Sequence, residues 1–419
     1  MNLIKTCFLT GISTFIKILS GFIVNKILAV YVGPAGIALI GQFQNFITTT
    51  LSLSNGAINN GIVKYTAEYA NSDEKRSDIL KTAMFITLIC SLIASVTVIL
   101  LHNQLSLWLL KSNKYSSVFL IFGFTLIIYS INSYFISILN GLREIRKYIV
   151  INILSSLFSL LFSALLVIYA GLYGALLSLA TSQTLVFGVT LFFTRKCAWF
   201  NIKNFVPAFE QESFKNLLKF SLMTAVTALS IPTSQIIIRN YIIHSLSLDA
   251  AGFWQGVIKI SDVYLLIITT SLTIYYLPRL SEITKAYELK KEIAQGYKTV
   301  MPLVIALAAI IFFNRELIIK LLFTEEFLPM KNLFLYQLTG DIFKIATWLL
   351  ASLMIAKAMV KRFIYTEIIF SISLVLFSVI FINKFGLIGA TQAFALNYFL
   401  GFIIMLWLFR DIIKAKEDG

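Results

Sequence analysis

The sequence is short of charge, of cysteine and of histidine. Only 13% of its 419 residues are charged, against about 25% in a soluble domain. Apolar residues make up 58%, and the mean hydropathy is +0.85. This composition excludes a water-soluble fold and implies an all-α polytopic membrane protein. The three cysteines, Cys7, Cys90 and Cys197, are scattered in or beside apolar stretches, which argues against a disulfide framework or a zinc site. His102 and His244 stand apart near span ends, so no metal centre is expected. A Walker A sequence, a Gly-x-Ser-x-Gly motif and a His-Cys arrangement are all missing. Their absence argues against ATP hydrolysis and nucleophilic catalysis within the chain. No outer loop is large enough for a transferase domain. The expectation is a protein that is not an enzyme and uses no cofactor. Acidic residues are also scarce, 20 against 35 basic, for a net charge of +15. The basic residues form no groove with stacking aromatics, so the excess is no signal of nucleic acid.

Twelve stretches read as membrane spans, over roughly 4–31, 35–63, 79–101, 116–140, 148–169, 171–194, 217–240, 249–278, 298–322, 332–356, 363–383 and 386–409. The first runs on to Tyr31, too long for the h-region of a cleaved signal. With the N-terminus inside, 24 of the basic residues fall on the cytoplasmic side and 7, Arg239 among them, on the outer side. Both termini are therefore expected in the cytoplasm, with the basic loops against anionic lipid headgroups. Four basic residues are left inside spans: Lys17, Lys26, Lys259 and Lys344.

An internal repeat runs through the chain. Gly171-Leu-Tyr-Gly174-Ala175 recurs as Gly386-Leu-Ile-Gly389-Ala390, and Arg146-Lys147-Tyr148 as Lys361-Arg362-Phe363, both offset by 215 residues. Ala35-Gly36 matches Ala251-Gly252 at 216, and Lys81-Thr82 matches Lys298-Thr299 at 217. The chain reads as two pseudo-symmetric six-helix lobes, 1–195 and 217–410, with a cytoplasmic connecting segment at 196–216 and a cytoplasmic tail at 411–419. Because six spans is an even number, the lobes run parallel, and a substrate site is expected between them.

Polar residues fall in stripes on otherwise apolar helices. In the first span Thr6, Thr10, Ser13, Lys17 and Ser20 share a face, and in the second Gln42, Asn45, Thr49, Ser52, Gly56 and Asn59 do. Lys17 falls near mid-span, where a charge is expensive and normally faces protein or water. Lys26 lies near the outer end of its helix and can snorkel. In the eighth span Gln255, Lys259 and Asp262 are spaced four and three, with Thr269, Thr273 and Tyr276 continuing the face. In the tenth, Gln337, Asp341 and Lys344 repeat that spacing with the charges reversed. Each face thus sets a Lys and an Asp close enough to pair. Such a pair either fixes helix packing or acts as a switch, in which Lys takes an anionic group and Asp a proton or cation. The deep cations outnumber the deep carboxylates Asp262 and Asp341, and amides and hydroxyls line the rest. A ligand with a negative group and many hydroxyls, such as a phosphate-linked sugar, suits this lining.

Ala251-Gly-Phe-Trp-Gln-Gly256, followed by Ile260-Ser-Asp262-Val-Tyr264 and Tyr275-Tyr-Leu-Pro278, resembles the eighth-span signature of the Wzx polysaccharide flippases. Gly33-Pro-Ala-Gly36, Gln337-Leu-Thr-Gly-Asp341-Ile-Phe-Lys344 and Ile355-Ala-Lys357-Ala358 resemble further motifs of that family. The similarity covers essentially the whole chain and is fairly specific to the O-antigen and enterobacterial common antigen branch. It implies the multidrug/oligosaccharidyl-lipid/polysaccharide exporter superfamily, with twelve helices in two lobes forming a V around a cationic cavity. It also implies lipopolysaccharide biosynthesis at the bacterial inner membrane. The reaction would move an undecaprenyl-diphosphate-linked oligosaccharide from the inner to the outer leaflet by alternating access, coupled to an ion. A polysaccharide polymerase and a chain-length regulator are the implied assembly partners. Lys17, Lys26, Asp262, Asp341 and Lys344 sit at motif positions of that branch. The expected substrate set is Lys17, Lys26, Gln42, Asn45, Gln255, Lys259, Gln337 and Lys344, with Asp262 and Asp341 for ion coupling. Two other classes would use the same chain differently: a multidrug/cation antiporter, with more buried acid than base, and a non-transport scaffold of the polysaccharide assembly complex, with no need of deep polar stripes.

Overall fold

The structure, a computed structural model, describes residues 3–70, 72–197, 199–200 and 205–413. Of 3–10, 219–220, 271, 273–275 and 277–278 it describes the backbone alone. The side chains of Thr6, Thr10 and Thr273, and the tail beyond 413, therefore lie outside the described residues. Among those residues, ten helices are long and apolar enough to cross a membrane. In chain order the helices are α1 (Leu3–Ser54), α2 (Asn59–Glu68), α3 (Asp73–Leu100), α4 (His102–Leu110), α5 (Ser116–Gly141), α6 (Ile145–Thr194) and α7 (Gln211–Ser245). They continue as α8 (Leu248–Glu282), α9 (Ala286–Phe313), α10 (Arg315–Leu322), α11 (Phe334–Ala356), α12 (Val360–Phe385), α13 (Leu387–Leu408) and α14 (Arg410–Ile413). Large apolar side chains face outward along them, as at Ile369, Ile372, Leu376 and Ile380 on α12. This is the arrangement a hydrocarbon solvent demands.

Two of the ten are far longer than the roughly 20 residues that span a bilayer. α1 has 52 residues and α6 has 50, and each breaks at one glycine: Gly33 (φ 63°, ψ −170°) and Gly171 (φ 52°, ψ −130°). These dihedrals are open to glycine and strained for other residues. Pro34 follows the first break at a helix start, where its missing N–H is no loss.

Sequence spacing carried the second polar stripe through Gly56 and Asn59, but the helix does not. α1 ends at Ser54, and a turn with Gly56 (φ 59°) and Ala57 (φ 53°) leads into α2. The stripe therefore stops at Ser52. The expected ninth span over 298–322 is likewise divided, between α9 and the short α10, at Asn314.

By packing, the chain forms two compact units: residues 1–32 with 39–233, and 33–38 with 234–419. In the first, Ile62, Tyr65, Leu80, Tyr134, Phe135 and Ile138 form a core that also takes in Cys197, Trp199 and Leu217. The segment after α6 is thus packed against its own unit. Glu210 starts α7: its carboxylate accepts from the backbone N–H of Ser213 (2.5 Å) and of Glu212 (2.8 Å). Hydrogen bonds from Ser213, side chain and backbone, and from the Glu212 N–H hold the Glu210 carboxyl below the usual range. In the second unit, Ala38, Ile238, Ile242, Ala251, Trp254, Ile258, Ile382 and Ala390 make a shared core. There Gly252 lies against the α1 break so closely that a Cβ would stand 2.0 Å from the Pro34 carbonyl oxygen.

The repeat reappears as geometry inside each unit. Gly386 (φ 63°, ψ −144°) ends α12 as Gly171 breaks α6, 215 residues earlier. A Cβ on Gly174 would meet the Leu166 carbonyl oxygen at 1.9 Å, and one on Gly389 the Phe381 oxygen at 2.1 Å. All of these partners keep the 215 offset. The left-handed turn at Arg143 (φ 55°), between α5 and α6, recurs at Ala358 (φ 50°) between α11 and α12. Its bonds Arg143 N–H to Asn140 O and Glu144 N–H to Leu139 O recur as Ala358 to Ile355 and Met359 to Met354.

Candidate functional site

The polar side chains of the second unit gather where α8 packs on α11 and α11 packs on α13. Asp341 is fully buried. Its Oδ2 accepts from Ser261 Oγ (2.6 Å) and Tyr264 OH (2.9 Å) on α8, and its Oδ1 from Gln337 Nε2 (3.3 Å) one turn back on α11. Hydrogen bonds to a carboxylate are about twice as strong as neutral ones, so this residue ties α8 to α11. The Lys344 ammonium points elsewhere, to 5.9 Å from the ring centroids of both Phe394 and Tyr398 on α13. It is still within electrostatic reach of Asp262 and Asp341. Asp262 is exposed.

The expected Lys–Asp pairs are therefore not formed. Among the described residues no ion pair joins Lys259 to Asp262 or Lys344 to Asp341. A spacing of three residues lets two side chains meet. In this packing the donors on α8 claim Asp341, and the aromatic faces on α13 claim Lys344.

Gln255, expected to contact substrate, is buried and accepts a hydrogen bond from Arg239 Nη2 of α7. Arg239 is itself fully buried, its guanidinium 5.4 Å from the Trp254 ring, and it lies within electrostatic reach of half-buried Lys259. The count of basic residues leaves Arg239 out of those inside spans, and the structure adds it to the buried set. α7 continues for six residues beyond it, to Ser245, which leaves the guanidinium inside a helix packed on α8. The apolar run Tyr241-Ile-Ile after Arg239 was the available signal.

In the first unit, α1 carries Lys17, Lys26, Gln42 and Asn45. Lys17 is exposed between buried Ser13 and Ser20, Lys26 is half-buried beside buried Asn25, Gln42 is fully buried and Asn45 half-buried. Among the described residues no group of three or more His, Cys, Asp or Glu could hold a metal ion.

The membrane-embedded cluster of hydrogen-bonded carboxylate, amides and cations accompanies a clear kinship. The family model described as polysaccharide biosynthesis protein matches residues 3–284. The chain belongs to that family. It is 30% identical over 412 residues to the lipid III flippase of Escherichia coli (strain K12), covering 97% of this chain and 99% of that protein. Among solved structures it resembles the inward-facing conformation of a multidrug resistance MATE family transporter of the MOP superfamily (TM-score 0.78, 15% identity, 96% of both chains). It also resembles the outward-facing conformation of such a transporter (TM-score 0.70, 15% identity, 98% of this chain and 95% of that one). The fold is thus that of MOP superfamily transporters. The relatives are flippases and transporters, and the multi-pass membrane character expected from composition stands.

Proposed function

We propose that the chain is a flippase that moves an undecaprenyl-diphosphate-linked oligosaccharide, an O-antigen repeat unit, from the inner to the outer leaflet of the bacterial inner membrane. The observation that carries this reading is the end-to-end similarity to the lipid III flippase of Escherichia coli. The physical chemistry agrees with it. At interior positions of the membrane helices Lys17, Lys26, Arg239, Lys259 and Lys344 outnumber Asp262, Asp341 and Glu367. That balance favours an anionic ligand over the cations a multidrug/cation antiporter exports, and a non-transport scaffold has no need of it. Lys17, Lys26, Lys259 and Lys344 act on the diphosphate, and Gln42, Asn45, Gln255 and Gln337 on the glycan or on the groups that hold it. Transport proceeds by alternating access coupled to an ion, with Asp262 as the carboxylate open to exchange and Asp341 as its buried partner in coupling. The finer architecture belongs to the same reading. α1 and α6 each cross twice, giving twelve spans. Lobes 1–195 and 217–410 form a V around a cationic cavity, and both termini are cytoplasmic. A polysaccharide polymerase and a chain-length regulator are the assembly partners.

The test is translocation of a lipid-linked oligosaccharide by the purified protein in liposomes, read with a glycan-modifying enzyme outside. Transport that Lys17→Ala stops and Asp262→Asn impairs, with protein still folded in the membrane, supports the reading. Export of organic cations without glycan-lipid movement would replace it with the antiporter. Movement of neither, with surface glycan still lost on deletion, would leave the scaffold.

A further inference from the structure

Two donors in the second unit share one ring: the Lys344 ammonium lies 5.9 Å from the centroid of the ring that carries the Tyr398 hydroxyl. Among the described residues neither Lys344 Nζ nor the Tyr398 hydroxyl has a hydrogen-bond partner. Both side chains are half-buried, so neither is shut inside the protein. Lys344 lies over the Tyr398 ring, and Tyr398 heads the groups within its electrostatic reach. Phe394, one turn before Tyr398, packs edge-on to it with centroids 4.8 Å apart and stands on the same side of the ammonium, also 5.9 Å from it. Two ring faces within about 6 Å orient an ammonium without neutralising it.

The backbone is shaped to admit this pair of rings. Gly340, one turn before Lys344 on α11, leaves room for Phe394: a Cβ there would stand 2.3 Å from the ring. Thr347 Oγ1 donates to the Tyr398 carbonyl at 3.3 Å and fixes α13 against α11 beyond the lysine. Asp341, the carboxylate nearest in sequence, is occupied by Ser261, Tyr264 and Gln337. The result is a cation over a phenol ring with both donors free of hydrogen bonds among the described residues, and with Asp262 within electrostatic reach of each.

We propose that Lys344 and Tyr398 form a two-donor subsite for a phosphoryl group of a diphosphate ester, with Phe394 as the positioning residue that keeps the ammonium beside the phenol. The proposal rests on the flippase reading and names two residues that reading did not use. Tyr398 donates its hydroxyl proton to a phosphoryl oxygen, and Lys344 supplies charge and a second donor to the same group. No covalent bond changes.

The experiment measures binding of farnesyl diphosphate to the full-length protein in nanodiscs, with farnesyl monophosphate and inorganic pyrophosphate as separate arms. Tyr398→Phe removes one hydroxyl and keeps the ring. It is expected to weaken farnesyl diphosphate binding about tenfold, as loss of a hydrogen bond to a charged group does. The thermal unfolding midpoint should not move. Phe394→Leu should weaken binding in the same direction and Phe394→Tyr should restore it. In a Lys344→Ala background Tyr398→Phe should add less than twofold, because both donors act on one group. Three results each overturn the proposal: wild-type protein that does not bind farnesyl diphosphate, Tyr398→Phe within twofold of wild type, and a full tenfold loss that persists in the Lys344→Ala background. Inorganic pyrophosphate bound as tightly as the farnesyl ester would assign the subsite to free diphosphate. The transport assay above separates this inference from the reading beneath it. A protein that moves glycan-lipid yet ignores Tyr398→Phe refutes the subsite alone. One that binds as described yet moves no glycan-lipid refutes the flippase alone.

Discussion

The two units share a scaffold and differ in what they hang on it. In the first, Phe43 and Phe46 of α1 pack on Phe119 and Phe122 of α5, with centroids 5.1 to 6.1 Å apart across the two helices. At an offset of 216 on α8 and 215 on α11, the corresponding positions are Lys259, Asp262, Phe334 and Gln337. Leu126 corresponds to Asp341 and Tyr129 to Lys344. Even a cross-helix contact is kept while its chemistry changes. Asn132 Nδ2 donates to Gln183 Oε1 at 3.2 Å in the first unit, and Thr347, 215 residues on, donates to the carbonyl of Tyr398, which matches Gln183. A dry aromatic plug in one copy is a charged, hydrogen-bonded cluster in the other. Glycines and turns set the scaffold. Side chains that no glycine constrains were free to diverge, so the duplicated backbone says little about where the chemistry lies.

Exchanging residues across the repeat breaks the comparison most sharply. Leu126→Asp puts a carboxylate into a fully buried site whose counterparts of Ser261 and Tyr264 are Asn45 and Thr48. It is expected to destabilise the first unit by about 3–5 kcal/mol, as an uncompensated buried charge does. The amount of folded protein in the membrane reads this directly, and normal accumulation would show that the first unit can also house a carboxylate. Next come the paired glycines. Gly174→Ala and Gly389→Ala should each cost about 3 kcal/mol through overpacking against a backbone carbonyl, and by similar amounts. Thermal unfolding midpoints in detergent that differ widely between the two would mean that the crossings are not equivalent.

Asp341→Ala leaves Ser261, Tyr264 and Gln337 without their acceptor and should cost about 2–3 kcal/mol. Asp262→Asn, at an exposed position, should stay within about 0.5 kcal/mol while impairing transport. Equal stability loss in the two variants would erase the distinction between a buried tie and an open carboxylate. The smallest effect is expected at the start of α7. Glu210→Ala should cost about 1 kcal/mol, as loss of a helix cap does. The Glu210 carboxyl titrates lower folded than unfolded, so its contribution is fully present above the unfolded value of about 4.3 and fades as pH falls through the folded one. A wild-type minus Glu210→Ala stability difference that grows in acid would contradict this.

Much of the scaffold was legible in the sequence because glycine has few substitutes where φ is positive or where backbones touch. The pairs Gly171 with Gly386 and Gly174 with Gly389 therefore survived as letters. The turn at Arg143 and Ala358 uses the same dihedral with unrelated side chains, so it left no trace. For the candidate site, the sequence offers a set of residues on helix faces and not their arrangement. Spacing put Gln337, Asp341 and Lys344 on one face of α11, but the partners of Asp341 on α8 are 77 and 80 residues away in the chain. Intrahelical spacing carries no information about such neighbours. Arg239 escapes a count of deep charges because it lies at the edge of an expected span, where a guanidinium can stack on an indole and donate to an amide inside the protein.

The close approach of Gly252 to the Pro34 carbonyl bears on the order of assembly. The two residues are separated by more than two hundred positions. At about 5–20 residues per second, the ribosome releases α8 roughly 10–45 s after it has released the α1 break. Through that interval the segment 33–38 lacks the surface it finally packs on, while the α2, α3 and α5 parts of the first-unit core are made within it. A substitution at Gly252 is thus a fault that synthesis meets late. Nascent chains arrested with α8 synthesised but still inside the ribosome should show identical protease patterns in wild type and Gly252→Ala, and diverge only once the eighth helix has left the ribosome.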